Sequence, residues 1–436
     1  MRESAAASAA TDRATGAAMG TATNAATGTA TIAARTDGRE PVAASAAAGC
    51  AAAGPAAPGN GVTAPAAMRA RAGPIDSASV GKIAVLRPSA VGDFVFALPA
   101  LHALRLAYPS AELLFIGKPW HAQFLHGRPG PVDRVLVLPP VPGVGAPAAL
   151  AADAGAVDDF VAALRDERID IALQMFGGGR FSNPFVARFG ARLTVGACAP
   201  DAAPLDRWIA HVEPGSRRLA LLEIAALAGA TAVPLGRELE TTADDRRQAA
   251  SVLPAVRGRP LALLQPGSTD PRRCWSPARF AAVGDALAMH GAVVAINGTA
   301  GEAGLVRQVM AAMRHEALDL SGRLSLGGLC GLLARASVVV SNDTGPLHLA
   351  LALQTPCVGI FWYTNLADGM PLRPSLLRAA VSARVHCPVC GLDNRDARCI
   401  HTASFVDDVP ADEVVARAVA LLRAGEDLRR SEGDAC

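Results

Sequence analysis

Short apolar runs alternate with amphipathic stretches along most of this chain, beginning at Lys82. Ile83-Ala84-Val85-Leu86 is apolar throughout and stops at Arg87-Pro88. A turn, Ser89-Ala90-Val91-Gly92, leads into a helical pattern over 93–106, expected to kink or restart near Pro99, since proline lacks the N–H that a helix interior uses. Further apolar runs fall at 113–116, 134–138, 169–173 and 193–195, with helical stretches between them, notably 157–167 and 217–228. The stretch 231–258 is rich in charge and turns and shows no clear strand. The alternation then restarts. Strands are expected at 261–264, 292–296, 338–341 and 357–361, and helices at 277–290, 302–314, 326–334, 346–353 and 411–423.

Strands that are apolar on both faces, each followed by a helix, predict parallel sheets covered on both sides. The fold class expected is therefore α/β, with two successive Rossmann-like domains. The boundaries read from the pattern are an N-terminal domain at 79–235, a linker at 236–258, a C-terminal domain at 259–425 and a tail at 426–436. Open α/β sheets bind ligands beyond the carboxyl ends of their strands, so two such sheets facing each other make the cleft between them the expected site.

Composition changes this picture in three places. Hydrophobic residues make up 51% of the 436, but much of that is Ala concentrated at the N-terminus. Residues 1–78 carry almost no large apolar side chains and cannot bury enough surface to offset chain entropy, so they are expected to be a disordered tail; Met68 is an alternative start. A net charge of +2 with 18% charged residues gives no basis for nucleic-acid binding. No apolar run reaches the roughly 18 residues of a membrane span, no signal peptide is legible, and nine scattered cysteines do not form a secreted disulfide framework. The compartment expected is the cytoplasm.

Four stretches carry candidate chemistry. In Arg87-Pro88-Ser89-Ala90-Val91-Gly92-Asp93, Gly92 permits a tight turn and Asp93 stands at a helix N-terminus, as a simple N-cap or as a general base for an incoming hydroxyl. No Gly-x-Gly-x-x-Gly follows this strand, which disfavours a dinucleotide-dependent dehydrogenase. The second stretch runs from Gln265 to Pro277 and includes Ser268, Thr269, Arg272 and Arg273. It offers small hydroxyls and two arginines to a phosphate, while Ser276-Pro277 reads as a helix cap. The third, Ser341-Asn342-Asp343-Thr344-Gly345-Pro346-Leu347-His348, is a capping turn or an anion site built from a helix N-terminus and the Thr344 hydroxyl. The fourth is Cys387-Pro388-Val389-Cys390 with Cys399 and His401, open between a zinc or iron site and free thiols.

Together these stretches resemble the heptosyltransferases of glycosyltransferase family 9. The run from Ile83 to Asp93, followed by Ala97-Leu98-Pro99-Ala100-Leu101, is similar to the family's opening strand, Gly-Asp turn and helix. Leu320-Ser321-Gly322-Arg323, Asn342-Asp343-Thr344-Gly345-Pro346-Leu347-His348 and Thr355-Pro356 resemble its C-terminal signature, and Asn297-Gly298 with Glu302 resembles its nucleotide-side loop. The likeness covers roughly 82–423. It implies a GT-B fold and inverting transfer of a heptose from ADP-heptose to an inner-core lipopolysaccharide sugar, with no cofactor or metal required. Asp93 then matches the proposed base. Arg273 stands where members often carry a Lys on the diphosphate, so the charge is kept but the geometry differs. Ser268, Thr269, Asn297, Gly298, Glu302, Asp343, Thr344, Gly345 and His348 fall on the donor side, and Arg87, Ser89 and Gly92 on the acceptor side. The implied partners are a nucleotide-sugar donor and a lipid-linked saccharide acceptor, with peripheral contact at the inner membrane. Iron-binding members that glycosylate autotransporter proteins use four cysteines, where Cys387, Cys390, Cys399 and His401 offer three and a histidine. Three other readings stay open: a protein heptosyltransferase, a GT-B nucleotide-sugar epimerase, and a nucleotide-sugar binder without catalysis.

Overall fold

The computed structural model describes residues 76–433, apart from Pro214, 254–257 and 395–398, with side chains through Gly425. The expectation for residues 1–75 lies outside the described residues. The first described element is a short 3-10 turn, Ser77–Ser79, and the first strand follows at once.

The main sheet of the N-terminal half has six strands: β1 (Lys82–Leu86), β2 (Glu112–Gly117), β3 (Arg134–Val137), β4 (Ile171–Gln174), β5 (Leu193–Cys198) and β6 (Arg207–Ala210), and a separate two-stranded pairing joins Val141–Pro142 to Gly145–Ala146. Its helices are α1 (Val91–Ala107), α2 (Pro119–Leu125), α3 (Ala154–Asp166), α4 (Ser182–Ala187) and α5 (Arg217–Leu227). All pairings in the sheet are parallel, in the order β3-β2-β1-β4-β5-β6. β1 lies at the centre, with Val85 in register with Phe115 on one side and Leu173 on the other. Its apolar residues Ile83, Val85 and Leu86 are fully buried, which is why the run reads as continuous rather than alternating.

The C-terminal half repeats the plan. Its strands are β7 (Leu261–Gln265), β8 (Val293–Ile296), β9 (Leu318–Asp319), β10 (Val338–Asn342), β11 (Cys357–Trp362) and β12 (Leu377–Ser382). Their order is β9-β8-β7-β10-β11-β12, again all parallel. The connecting helices are α7 (Pro277–Met289), α8 (Ala303–Ala312), α9 (Leu326–Leu333), α10 (Gly345–Ala352), α11 (Tyr363–Gly369) and α12 (Ala411–Gly433). The stretch between the halves holds α6 (Ala243–Val252), capped reciprocally by Thr242 and Asp245. α6 lies flush on α9, where a Cβ at Gly331 would meet the Asp245 carbonyl oxygen at 2.1 Å, so only glycine fits that crossing. Buried Arg128 bonds Asp245 at 2.7 Å and the Glu240 carbonyl at 2.7 Å, tying the end of α2 to α6.

Three expectations need correction. α1 is one helix from Val91 to Ala107 and passes Pro99 without restarting; Pro99 is buried in its middle. The last helix continues past residue 423 to Gly433, so most of the expected tail is helical. β6, β9 and β12 were not legible as strands. β6 and β9 are edge strands with partly buried faces, and β12 alternates buried and exposed positions, so none shows the continuous apolar run of the sheet centre.

Candidate functional site

In both halves the strand order reverses beside the first strand, between β1 and β4 and between β7 and β10. Loops leaving the carboxyl ends at such a reversal diverge and open a crevice. Here the two crevices share one cavity of about 840 Å³. Its walls include Gly92, Asp93 and Phe96 from the start of α1, Arg217 from α5, and Thr269 and Arg273 from the loop after β7. Asn297, Gly298 and Glu302 line it after β8, and Asp343, Thr344, Gly345 and His348 after β10.

At the base of the cavity the turn before α1 meets the turn before α10. A Cβ on Gly92 would lie 3.3 Å from His348 Cδ2 and 3.7 Å from Gly345 Cα; one on Gly345 would lie 3.2 Å from Val91 Cβ. Glycine at both positions lets the two turns approach at the level of the backbone. The carboxylate after β1 and the hydroxyl-bearing turn after β10 therefore face a single space.

Asp93 is not the cap of α1. Ala90 occupies the N-cap without a side-chain bond, and Asp93 sits in the first turn. Asp93 Oδ1 accepts from Arg217 Nη1 at 2.7 Å and lies 3.9 Å from Arg87 Nη2. Oδ2 has no hydrogen-bond partner among the described residues, and Asp93 lines the cavity. Arg217 also reaches Asp368 Oδ2 on α11 at 3.5 Å. Burial alone would lower the Arg217 guanidinium, but the carboxylates of Asp93 and Asp368 hold it above its ordinary value. Arg87 is buried behind this pair; burial pulls it down to about 10, against the pull of Asp93. It donates Nε to the Asp93 carbonyl at 2.7 Å and Nη1 to the Met175 carbonyl. Arg87 and Ser89 thus lie under the turn and outside the cavity wall, while Gly92 lines it.

Across the cavity, Asp343 is a hub. It accepts from His348 Nε2 at 3.0 Å, Asn365 Nδ2 at 2.9 Å and Arg273 Nη1 at 3.3 Å. Burial alone would raise its carboxyl, but the bonds from His348 and Asn365 and the charge of Arg273 keep it below its ordinary value. Burial pushes His348 below its ordinary value despite that carboxylate, so at neutral pH the ring is a neutral imidazole donating Nε2–H. The ring also meets Phe96 edge-on at 4.6 Å, carrying the hub to α1. Arg273 donates Nη2 to Thr269 at 3.4 Å, and its Nε has no partner among the described residues. Thr344 caps α10 with no side-chain capping bond, so its hydroxyl and the Gly345 amide are available to an anion, while Pro346 carries no N–H and the Leu347 and His348 amides bond the Thr344 carbonyl.

The remaining donor-side candidates divide by place. Asn297 lines the cavity but bonds its amide to Gln265 at 2.9 Å. Glu302 lines it while one carboxylate oxygen caps Thr299 at 2.7 Å. Ser268 is outside the wall, its hydroxyl accepting from Asp270 N at 3.4 Å. Sequence reasoning passed over Arg217, Asn365 and Asp368. No local motif marks them, because their roles come from partners 22 to 153 residues away. Cys387, Cys390, Cys399 and His401 converge in the segment after β12 and line no part of this cavity.

Two parallel six-stranded sheets of one topology, opening onto a common cavity, define the GT-B class of fold. The chain belongs to glycosyltransferase family 9 (heptosyltransferase), whose profile matches residues 159–424, more than half of its length. It is similar to lipopolysaccharide heptosyltransferase 2 of Salmonella typhimurium, 26% identical over 298 residues, covering 64% of this chain and 82% of that protein. The similarity to lipooligosaccharide heptosyltransferase 2 of Haemophilus influenzae, 27% over 119 residues, spans only 34% of that protein's length and 26% of this chain. Among solved structures, a glycosyl transferase family 9 protein from Veillonella parvula aligns with a TM-score of 0.66 at 17% identity, covering 81% of this chain and 99% of that one. E. coli ADP-heptose lps heptosyltransferase II aligns at 0.62 and 20%, covering 79% and 99%. At these identities the two structures establish the fold. Among the described residues, no helix is long and apolar enough to cross a membrane.

Proposed function

We propose that this chain transfers a heptose from ADP-heptose to an inner-core sugar of lipopolysaccharide, with inversion at the anomeric carbon. One observation carries the reading: a carboxylate with a free oxygen and a helix N-terminus with an unused cap hydroxyl open onto the same cavity. The first suits a base and the second suits a diphosphate.

In this reading the diphosphate rests on the Thr344 hydroxyl and the Gly345 amide at the start of α10, with Arg273 beside it. The nucleoside lies toward Asn297, Glu302 and the apolar wall of Leu324, Leu326 and Leu329. As the bond from the anomeric carbon to the phosphate oxygen breaks, the sugar gains oxocarbenium character and negative charge grows on the leaving diphosphate. The α10 N-terminus and Arg273 stabilise that charge from fixed positions. Asp93 takes the proton of the acceptor hydroxyl through Oδ2, while Arg217 holds Oδ1 and fixes the carboxylate's direction. Attack from the face opposite the diphosphate forms the new glycosidic bond. The acceptor is lipid-linked, and in this reading the enzyme meets it in the cytoplasm at the inner face of the membrane.

The test is direct. Purified protein is given ADP-heptose with a heptose-deficient lipopolysaccharide core, and the core is weighed by mass spectrometry. A gain of one heptose and release of ADP are expected. ADP release or sugar change without any acceptor would point to an epimerase, and donor binding with no product on any acceptor would point to a binder; either result overturns the reading.

A further inference from the structure

The segment after β12 contains a group that the transfer chemistry does not use. Cys387, Cys390, Cys399 and His401 each offer one donor atom, and all four atoms lie within 4.8 Å of one another. Cys387 Sγ and His401 Nδ1 are 3.7 Å apart. A tetrahedral zinc, about 2.3 Å from sulfur and about 2.1 Å from nitrogen, sets its donors roughly 3.6 Å apart, so this spacing is close to that of a filled site. The thiols are unpaired. A disulfide between two of them would leave one sulfur and the imidazole converging on nothing. The Cys387-Pro388-Val389-Cys390 turn also aims the Val389 amide at Cys387 Sγ, 3.5 Å away, the kind of N–H contact that supports a metal-bound thiolate.

We propose that Cys387, Cys390, Cys399 and His401 bind one zinc ion as a closed structural site that braces the loop carrying Arg273. Four protein ligands fill a tetrahedral zinc and leave no open position, so the ion supplies no Lewis acid to the transfer. Three thiolates and a neutral imidazole around Zn²⁺ leave one net negative charge at the site, and the Arg272 guanidinium stands beside it. Arg272 Nη1 donates to Asn394 Oδ1 at 3.3 Å, and the Asn394 amide lies 3.8 Å from Cys399 Sγ. The Arg272 carbonyl accepts from Phe405 N at 2.8 Å, and Arg272 is further clamped by Asp270 at 2.7 Å. The ligand-bearing segment therefore grips the donor loop one residue before Arg273. The effect on the donor rests on the reading proposed above; the zinc site itself does not.

The experiment uses the full chain, purified without a histidine tag. Elemental analysis is expected to give about one zinc per chain, and Cys390→Ser and His401→Ala are each expected to lose it. Because either variant could misfold, the wild type is also loaded with cobalt, which should give thiolate-to-cobalt charge-transfer and tetrahedral absorption bands. Removing zinc with a chelator should weaken ADP binding, measured by calorimetry, about fivefold or more. Less than about a tenth of a zinc per chain, with all three thiols freely reactive in the native protein, overturns the site. Stoichiometric iron in place of zinc overturns its identity. Stoichiometric zinc whose removal leaves ADP affinity unchanged overturns the brace, and neither of the first two measurements depends on transferase activity.

Discussion

The two sheets share one strand order, yet they place opposite chemistry at the point where that order reverses. In the N-terminal half the loop after the first strand is tight, 87–90, and delivers a carboxylate, Asp93, backed by buried Arg87 and partnered by Arg217. In the C-terminal half the loop after the first strand is long, 266–276, and delivers a cation, Arg273; the fourth strand then adds a bare helix start at Thr344. One topology thus presents a carboxylate on one side and a cation with an open helix start on the other. Topology fixes where ligands bind, and the loops fix what the site can do.

This contrast can be broken from either side. Asp93→Asn keeps the shape of the base and removes its proton affinity. It should lower kcat about 10²–10⁴-fold while ADP affinity, measured by calorimetry, stays within about twofold. Wild-type turnover in this variant would rule out Asp93 as the base. Arg273→Ala acts on the opposite wall and should weaken ADP binding about 10–100-fold, the range for loss of one hydrogen bond to a charged group. A fall in kcat alone, with ADP affinity intact, would place Arg273 outside the diphosphate subsite. Arg217→Ala removes the partner that fixes Asp93 and should lower kcat about tenfold with little change in ADP affinity, and Arg217→Lys should recover part of the loss.

The smallest effect lies far from the cavity and sharpens the comparison of the sheets as scaffolds. At the amino ends of the N-terminal strands, Glu167 bonds Arg134 at 2.8 and 2.9 Å and Lys82 at 2.5 Å. The bonds from Arg134 and Lys82, acting against burial, hold its carboxyl at about 2, below its ordinary value of 4.5. A depressed carboxylate stabilises the fold above the unfolded value, and that stability is lost as pH falls from about 4.5 through about 2. The pair is partly exposed and screened, so the contribution is at most about 1 kcal/mol. Melting temperatures of wild type and Glu167→Gln should differ at neutral pH and converge in acid. Curves that stay parallel would show the carboxylate contributes nothing.

Much of this was readable in the chain itself, for physical reasons that also mark the limits. Central strands such as β1 and β10 are buried on both faces, so they appear as unbroken apolar runs ending at a Gly-containing turn. Asp93, Thr344 and Gly345 could be singled out because each lies in the turn or the first helical turn that follows such a run. α6 was not, since its charged sequence hides a helix whose signal is the Thr242–Asp245 capping pair. α9 reads as helix although it contains Gly327, Gly328 and Gly331, because those glycines form the face on which α6 lies. Arg217 and Asp368 could not be read at all: Arg217 reaches Asp93 only when α5 packs on α1, and Asp368 joins only when α11 of the other half meets Arg217.

The abutting turns at Gly92 and Gly345 act as a spacer of minimal thickness. Any side chain there would be a shim, widening the gap between the Asp93 carboxylate and the Thr344 turn while both sheets kept their own cores. Reach across the cleft is therefore encoded separately from the strength of the fold, and a graded series of bulkier residues at position 345 would turn the enzyme into a ruler for its own sugar.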